Sequence, residues 1–141
     1  MTVKVTVDLT DDIALVQSIR RAVFIEGQNV PEADEVDGRD GEALHLLLHL
    51  DGVPVGTARM LIDGDSGKIG RVAVLEEHRG IGLGTALINT ALQVLRDNGV
   101  ARSKLGAQSH AIGFYGKFGF IATGPEFLDA GIPHRAMVCD L

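Results

Sequence analysis

Arg79-Gly80-Ile81-Gly82-Leu83-Gly84-Thr85 is the stretch of this chain best suited to chemistry. Ile69, Val72, Val74 and Leu75 precede it as in a buried strand, and Leu87, Ile88, Ala91, Leu92 and Leu95 follow it at helical spacing. The glycines therefore fall where a helix begins. A glycine inside a helix costs about 1 kcal/mol relative to alanine, so their presence asks for a reason. They let backbone N–H groups approach a ligand closely, and a helix N-terminus attracts anions. The first turn of this helix has no acidic side chain of its own. Thr10-Asp11-Asp12, by contrast, offers a cap and negative charge to the helix predicted after it. The glycine helix is left open for an external anion, a phosphate.

Two phosphate-binding patterns fit poorly. A Walker loop needs Gly-Lys-Ser/Thr after the glycines, and here Gly84 is followed by Thr85-Ala86. A dinucleotide fingerprint needs a third small residue three positions after its second glycine. Counting from Gly82 and Gly84 this is Leu87, and from Gly80 and Gly82 it is Thr85. That fingerprint also opens its domain after a first strand, whereas about half of this chain precedes the glycines.

Other residues could move protons. Residues 26–42 hold Glu26, Glu32, Asp34, Glu35, Asp37, Asp40 and Glu42. They read either as an exposed loop with a short helix near 31–35 or as a wall whose carboxylates attract an amine and accept its proton. His45 and His49 have the i, i+4 spacing of a helical metal pair, but they fall in a predicted strand with no third ligand. No metal is expected, and His45 reads as a core-edge or active-site histidine. Asp63-Gly64-Asp65-Ser66-Gly67 lacks the later glutamate of a calcium loop. Cys139 is the single cysteine. It has no evident activating partner and reads as a buried strand residue.

Length and composition set the frame. At 141 residues, 45% hydrophobic and 23% charged, the chain reads as a single globular domain over 1–141. A formal charge of −6, with no basic cluster, argues against a nucleic-acid partner. The start of the chain resembles neither a signal peptide nor a membrane span. One cysteine allows no internal disulfide, so a reducing cytoplasm is the expected compartment.

The elements follow in order. Val3, Val5, Val7 and Leu9 alternate as a first strand. Thr10 is the predicted cap of a helix over 11–26 with Ile13, Val16, Ile19, Val23 and Phe24 facing the core. Arg20 and Arg21 read as solvated, with Arg20 in reach of the acidic segment. Asp51-Gly52 joins residues 43–51 and 53–61 into a hairpin. After the glycine helix, Asn98-Gly99 is a stop. Residues 100–108 form a strand expected to pair parallel with 69–76 through the crossover helix. Ala111, Phe114, Tyr115 and Phe118 recur at helical spacing up to Gly119, and the tail reads as two strands around Gly131-Ile132-Pro133.

Arg79-x-x-Gly82-x-Gly84 after Val72-Ala73-Val74 resembles motif A of the GNAT (Gcn5-related N-acetyltransferase) superfamily. Phe114-Tyr115 followed by Gly119-Phe120 resembles its motif B, and the order of elements matches. Val23-Phe24, Gln28, Glu35-x-Asp37-Gly38-x-Asp40, His45, Ala107-Gln108 and Gly131-Ile132-Pro133-His134 with Met137 are similar to the ElaA/YjcF-like branch. This branch often carries Glu-Gln where the chain has Gly27-Gln28.

The resemblance implies an α/β (α+β) GNAT fold. A mixed sheet of about seven strands is flanked by helices, and two central parallel strands splay around a cofactor. It implies acetyl-CoA as co-substrate. The cofactor would be held by Val72, Ala73, Val74, Arg79, Gly80, Ile81, Gly82, Leu83, Gly84, Thr85, Phe114 and Tyr115. The implied reaction is direct attack of an amine, from a small molecule or a peptide, on the thioester. At a lysine-like pKa of about 10.4 only about one amine in a thousand is neutral at pH 7, so a proton acceptor is needed. Glu26, Glu35, Asp37, His45 and His134 are candidates, with the acidic segment and His134 favoured by the resemblance. Tyr115 would serve the departing thiolate, and a backbone N–H, that of Val74, would polarise the acetyl carbonyl. Two other classes remain. A non-catalytic acyl-CoA sensor would dispense with the acid–base groups, and a nucleotide-dependent oxidoreductase would bind NAD. A homodimer is compatible with the sequence, and no stretch demonstrates one.

Overall fold

A computed structural model describes residues 2–141. Its strands are β1 (Val5–Thr10), β2 (Leu44–Leu50), β3 (Val53–Asp63), β4 (Ser66–Val74), β5 (Arg102–Gln108), β6 (Ile121–Asp129) and β7 (Ile132–Asp140). They form one seven-stranded sheet in the order β1-β2-β3-β4-β5-β7-β6. Only β4 and β5 run parallel, because the crossover helix joins them. The helices are α1 (Ile13–Arg20), α2 (Glu32–Glu35), α3 (Leu83–Asp97) and α4 (Ile112–Gly116). Among the described residues no helix is long and apolar enough to cross a membrane.

Helices cover both faces of the sheet. Leu87, Ile88, Ala91 and Leu95 of α3 pack on one face against Leu46, Leu48, Met60 and Ile69. Val16, Ile19 and Val23 pack on the other face against Leu47 and Ala73. Burial from two sides explains why Leu46-Leu47-Leu48 is an unbroken apolar run rather than an alternating one.

The parallel ladder is short. It pairs Ser66 with Arg102, Gly67 with Ser103 and Lys68 with Lys104, and then stops. The sequence predicted pairing along 69–76, and the structure ends it at Lys68. Beyond that point the strands separate. On its other edge β4 carries a bulge. Thr57 faces Ala73 and Arg59 faces Gly70, so Arg71 and Val72 together oppose Ala58. Arg71 takes a left-handed φ of 52° there.

Several expected boundaries move. The helix predicted over 11–26 is α1 followed by a π-helical stretch, Arg21–Glu26. Its cap is Asp12, which accepts from the Leu15 N–H at 3.1 Å. Thr10 instead ends β1 and accepts from the Asp12 N–H at 3.1 Å. The helix predicted to end at Gly119 is a 3-10 turn, Ser109–Ala111, followed by the short α4. The final hairpin turns at Ala130-Gly131, whose φ values are 52° and 77°. Asn98 caps α3, and Gly99 at φ 74° ends it as predicted.

Gly67 marks where α3 presses hardest on β4. A Cβ there would lie 2.5 Å from Leu95 Cδ2 in the core, whereas one on Gly70 would meet nothing within 4 Å. Gly67→Ala is expected to lower stability by about 1–3 kcal/mol, as overpacked cores do. Gly70→Ala should change it by less than about 0.5 kcal/mol. Urea unfolding midpoints of the two variants check this, and equal effects would refute it.

Candidate active site

Where β4 and β5 part, a cavity of about 420 Å³ opens. Its floor is the separated strand ends, from Lys68 to Val74 and from Leu105 to Gln108. One end is closed by the α1–α2 segment through Phe24, Gln28 and Glu35. The other is bounded by Arg79, His110 and Tyr115, and the β6–β7 hairpin adds Phe127 and His134. Gln108 Nε2 donates to Gln28 Oε1 at 3.0 Å, joining two walls that lie 80 residues apart in sequence.

The backbone of β4 offers a donor to this space. The Leu75 N–H bonds the Val55 carbonyl. In an antiparallel ladder such bonds alternate from residue to residue. The N–H and C=O of Val74 therefore turn away from β3 toward the gap left by β5. The carbonyl is taken by Arg79 Nε at 2.9 Å.

His134 is 9% exposed and lies on β7. Its Nδ1 sits 2.6 Å from the Ile132 carbonyl. A carbonyl can only accept, so Nδ1 carries a proton, and in the neutral ring the lone pair is on Nε2. Phe127 stacks on the imidazole, with ring centroids 5.9 Å apart. Tyr115 is wedged edge-on against Phe114 and Phe120. Burial pushes its phenol up to about 12, so it remains a donor through neutral and moderately alkaline pH.

Glu35, Asp37 and Asp40 of the acidic segment have a different role from the one predicted, while Asp34 lines the cavity. Glu35 is 3% exposed and paired with Arg20 Nε. Asp40 accepts from Arg20 Nη1 at 2.8 Å and from Gln17 Nε2 at 2.8 Å. Asp37 is held by Arg59 at 2.7 and 2.9 Å. Glu35 and Asp37 are thus committed to arginines, and neither is free to attract or deprotonate an amine. Arg20, predicted as solvated, is 1% exposed. Burial pushes it down, and Glu35 and Asp40 more than offset this, leaving it above its ordinary value. Only Arg21 is at the surface, beside Glu32. Glu26 does not line the cavity.

His45 also leaves the site. It lies on β2 at 3% exposed, and its Nε2 donates to the Asp40 carbonyl at 2.9 Å. It locks the turn that carries Asp40 and does not reach the cavity. Cys139 is buried on β7 near the Phe118 carbonyl, and burial pushes its thiol up. Among the described residues no group of His, Cys, Asp and Glu is placed to hold a metal.

The glycine turn lies beside the cavity, which it meets at Arg79. Gly80 and Gly82 have φ of 84° and 85° and open space where a Cβ would stand. Their need is for the left-handed backbone. Gly82 starts α3 with no side-chain cap and no acid in the first turn. Ile81 and Thr85 are exposed and Leu83 is buried. Gly84 serves packing instead, since a Cβ there would touch Phe114 Cζ at 3.4 Å. The sequence did not single out Arg59 or Arg71. Each is a lone cation within an apolar strand run, and that was the available signal.

A family model described as acetyltransferase (GNAT) domain matches residues 14–141. YjcF of Bacillus subtilis, an N-acetyltransferase by name, is 37% identical over 123 residues, covering 86% of this chain and 88% of its own. ElaA of Escherichia coli is 38% identical over 130 residues, covering 88% and 84%. The ElaA crystal structure superimposes with a TM-score of 0.83 over 98% of this chain and 99% of that one, at 31% identity. A crystal structure of an acyl-CoA N-acyltransferase from Pseudomonas aeruginosa gives a TM-score of 0.83 at 32% identity, over 98% and 99%.

The arginine–carboxylate network makes the site sensitive to acid. Burial pushes Asp40 up, but hydrogen bonds from Arg20 and Gln17 bring it down to about 2. Arg59 holds Asp37 well below the carboxylate range. A lowered folded value stabilises the fold above the unfolded value of about 3.9, and this is lost as pH falls through the folded one. Asp40→Asn leaves two buried guanidinium groups short of a counter-charge and should cost about 3 kcal/mol near pH 7. The gap to wild type should narrow between pH 4 and about 2, as wild-type Asp40 itself becomes neutral. Urea midpoints at pH 7 and pH 3 test this, and an equal loss at both would assign Asp40 a role independent of charge.

Proposed function

The chain belongs to the GNAT acetyltransferase family, and from that premise we propose that it transfers an acetyl group from acetyl-CoA to an amine by direct attack. One observation carries the proposal. A proton-accepting imidazole and a protonated phenol, His134 and Tyr115, share a cavity opened by the parting of two parallel strands. The acyl-CoA N-acyltransferase name of the Pseudomonas aeruginosa neighbour supports an amine acceptor.

The residues present suit the co-substrate. The uncapped start of α3 presents free N–H groups with open space before Gly80 and Gly82, and such an end favours a phosphate. Arg79, Gly80, Ile81, Gly82, Leu83, Gly84 and Thr85 would hold the pyrophosphate. Val72, Ala73 and Val74 would hold the acetyl end, with Phe114 behind the turn. When bound, acetyl-CoA supplies the acetyl group as an activated thioester.

His134 Nε2 takes the proton of the attacking amine, while the Ile132 carbonyl keeps Nδ1–H in place. The Val74 N–H donates to the acetyl oxygen. Tyr115 acts on the departing sulfur by hydrogen bond rather than by full proton transfer. Burial pushes the phenol up to about 12, so it holds its proton more tightly than an ordinary phenol does. Cys139 lies outside the cavity with its thiol pushed up, which favours direct attack over an acetyl-cysteine.

Two experiments test this. Thr85 is exposed in the first turn of α3. Thr85→Glu complements the helix dipole, so the melting temperature should hold or rise while acetyl-CoA affinity falls at least tenfold by calorimetry. Undiminished affinity would move the phosphates off this helix end. Tyr115→Phe and His134→Gln should lower kcat, by about 10-fold and about 10²-fold or more, at little cost in acetyl-CoA affinity. Thiol release against an amine panel measures this, and unchanged turnover in either variant removes that residue from the mechanism. Binding without turnover in the wild type would leave an acyl-CoA-binding module.

A further inference from the structure

We propose that Arg71 is a carboxylate-binding residue of the acceptor subsite, so that the amine acetylated by this chain carries a carboxylate. The inference rests on the acetyl-transfer reading above and names the class of its acceptor.

Arg71 lines the same cavity as Tyr115 and His134. It stands at the end away from the glycine turn, because its Nη2 bonds the carbonyls of Asp34 and Glu35 in α2 at 3.2 and 3.1 Å. The co-substrate would enter from the α3 side, which leaves this end for the acceptor.

Its backbone also points to a use for the side chain. Arg71 takes a left-handed φ of 52° in the bulge of β4. Glycine meets such a backbone without strain, and bulges serve to re-aim a side chain. An arginine here is kept at a conformational cost.

The guanidinium is only partly used. Of its donors, Nη2 meets the two carbonyls and, at 3.4 Å, Asp37 Oδ2. Nε is buried with no partner, and Nη1 makes no hydrogen bond to the described residues. Arg20 and Arg59 differ. They take the short contacts to Glu35, Asp37 and Asp40 between them. The internal carboxylates are therefore already served, and Arg71 remains the underused cation of the group. Burial and the nearby Arg59 press it below its ordinary value, which an external anion would relieve. A carboxylate accepts from paired guanidinium N–H groups. The amine must reach His134 in the same cavity, so both groups belong to one acceptor, either a free amino acid or a peptide with a nearby carboxylate.

The test uses the full chain with acetyl-CoA and matched acceptors. One arm compares free α- and ω-amino acids with their carboxamides, and another compares short peptides with free and amidated C-termini. Thiol release gives kcat/KM. At least one carboxylate member should exceed its amide by about tenfold or more, and the arm in which this occurs identifies the source. Arg71→Gln should lower kcat/KM for the carboxylate member at least tenfold more than for the amide, chiefly through KM. Arg71→Lys should keep part of the preference, and decides the matter if the glutamine variant does not fold by circular dichroism. Amines acetylated with no preference for the carboxylate, or equal losses for both members in the variants, would overturn the inference and leave acetyl transfer standing. No amine acetylated, with acetyl-CoA bound, would overturn both.

Discussion

The architecture depends on a parallel ladder that stops after three residue pairs. Backbone N–H and C=O groups are costly to leave unpaired away from water, so two strands that separate inside a sheet must find other partners or a ligand. Here β7 supplies a complete antiparallel neighbour for β5 from Arg102 to Gln108. β3 does the same for β4, apart from the bulge. The remaining gap faces the cavity. Its opening is stabilised from outside, by α3 holding the paired end closed through Leu95 on Gly67 and by the α1–α2 segment covering the far end.

That covering segment has little apolar surface to hold it. Residues 26–42 are mostly polar, and α2 is only four residues long. It is fastened by charge instead. Arg20 and Arg59 take Glu35, Asp37 and Asp40 in short contacts, and Arg71 stands beside them with one longer contact to Asp37. Burying ions costs several kcal/mol each unless they are paired and hydrogen-bonded, so such a set holds one arrangement and penalises departures from it. The planar fork of arginine suits this better than lysine, since Arg59 grips Asp37 with two nitrogens and reaches Asp40 as well. The β4 bulge brings Arg71 into the set, so the irregular strand and the polar wall are fixed together.

Much of this was legible in the sequence because it is local. The alternation of Val5 to Leu9, the Asp51-Gly52 turn, the stripe of α3 and its stop at Gly99 each rest on neighbours within a few residues. The glycine turn was legible for the same reason, as was the phenol at Tyr115 once motif B was recognised. The arginine network was not. Arg20 and Glu35 lie 15 residues apart, and Arg59 and Asp37 lie 22 apart. A run of carboxylates looks like an open anionic surface until the cations that neutralise it are placed. The bulge at Arg71 was equally hidden, since one extra residue in a strand leaves no mark on a short apolar run.

Occupation of the carboxylates by arginine changes where proton chemistry can occur. A base must be able to change its charge during turnover, and a carboxylate held by buried guanidinium groups is fixed in the charged form. Asp37 and Asp40 are both held below the ordinary carboxylate range by their arginine partners. His134 makes no hydrogen bond or ion pair with an arginine or a carboxylate side chain among the described residues. It pairs with Gln108 of β5 and Phe127 of β6, its Nδ1 is held by a main-chain carbonyl, and Phe127 stacks on its ring. The sequence offered both the acidic segment and His134 as proton acceptors, and in the structure Glu35, Asp37 and Asp40 are bound to arginines while His134 is not. These carboxylates hold the arginines and the wall, and His134 Nε2 is the ring nitrogen left unbonded among the described residues, where the wall and the hairpin meet.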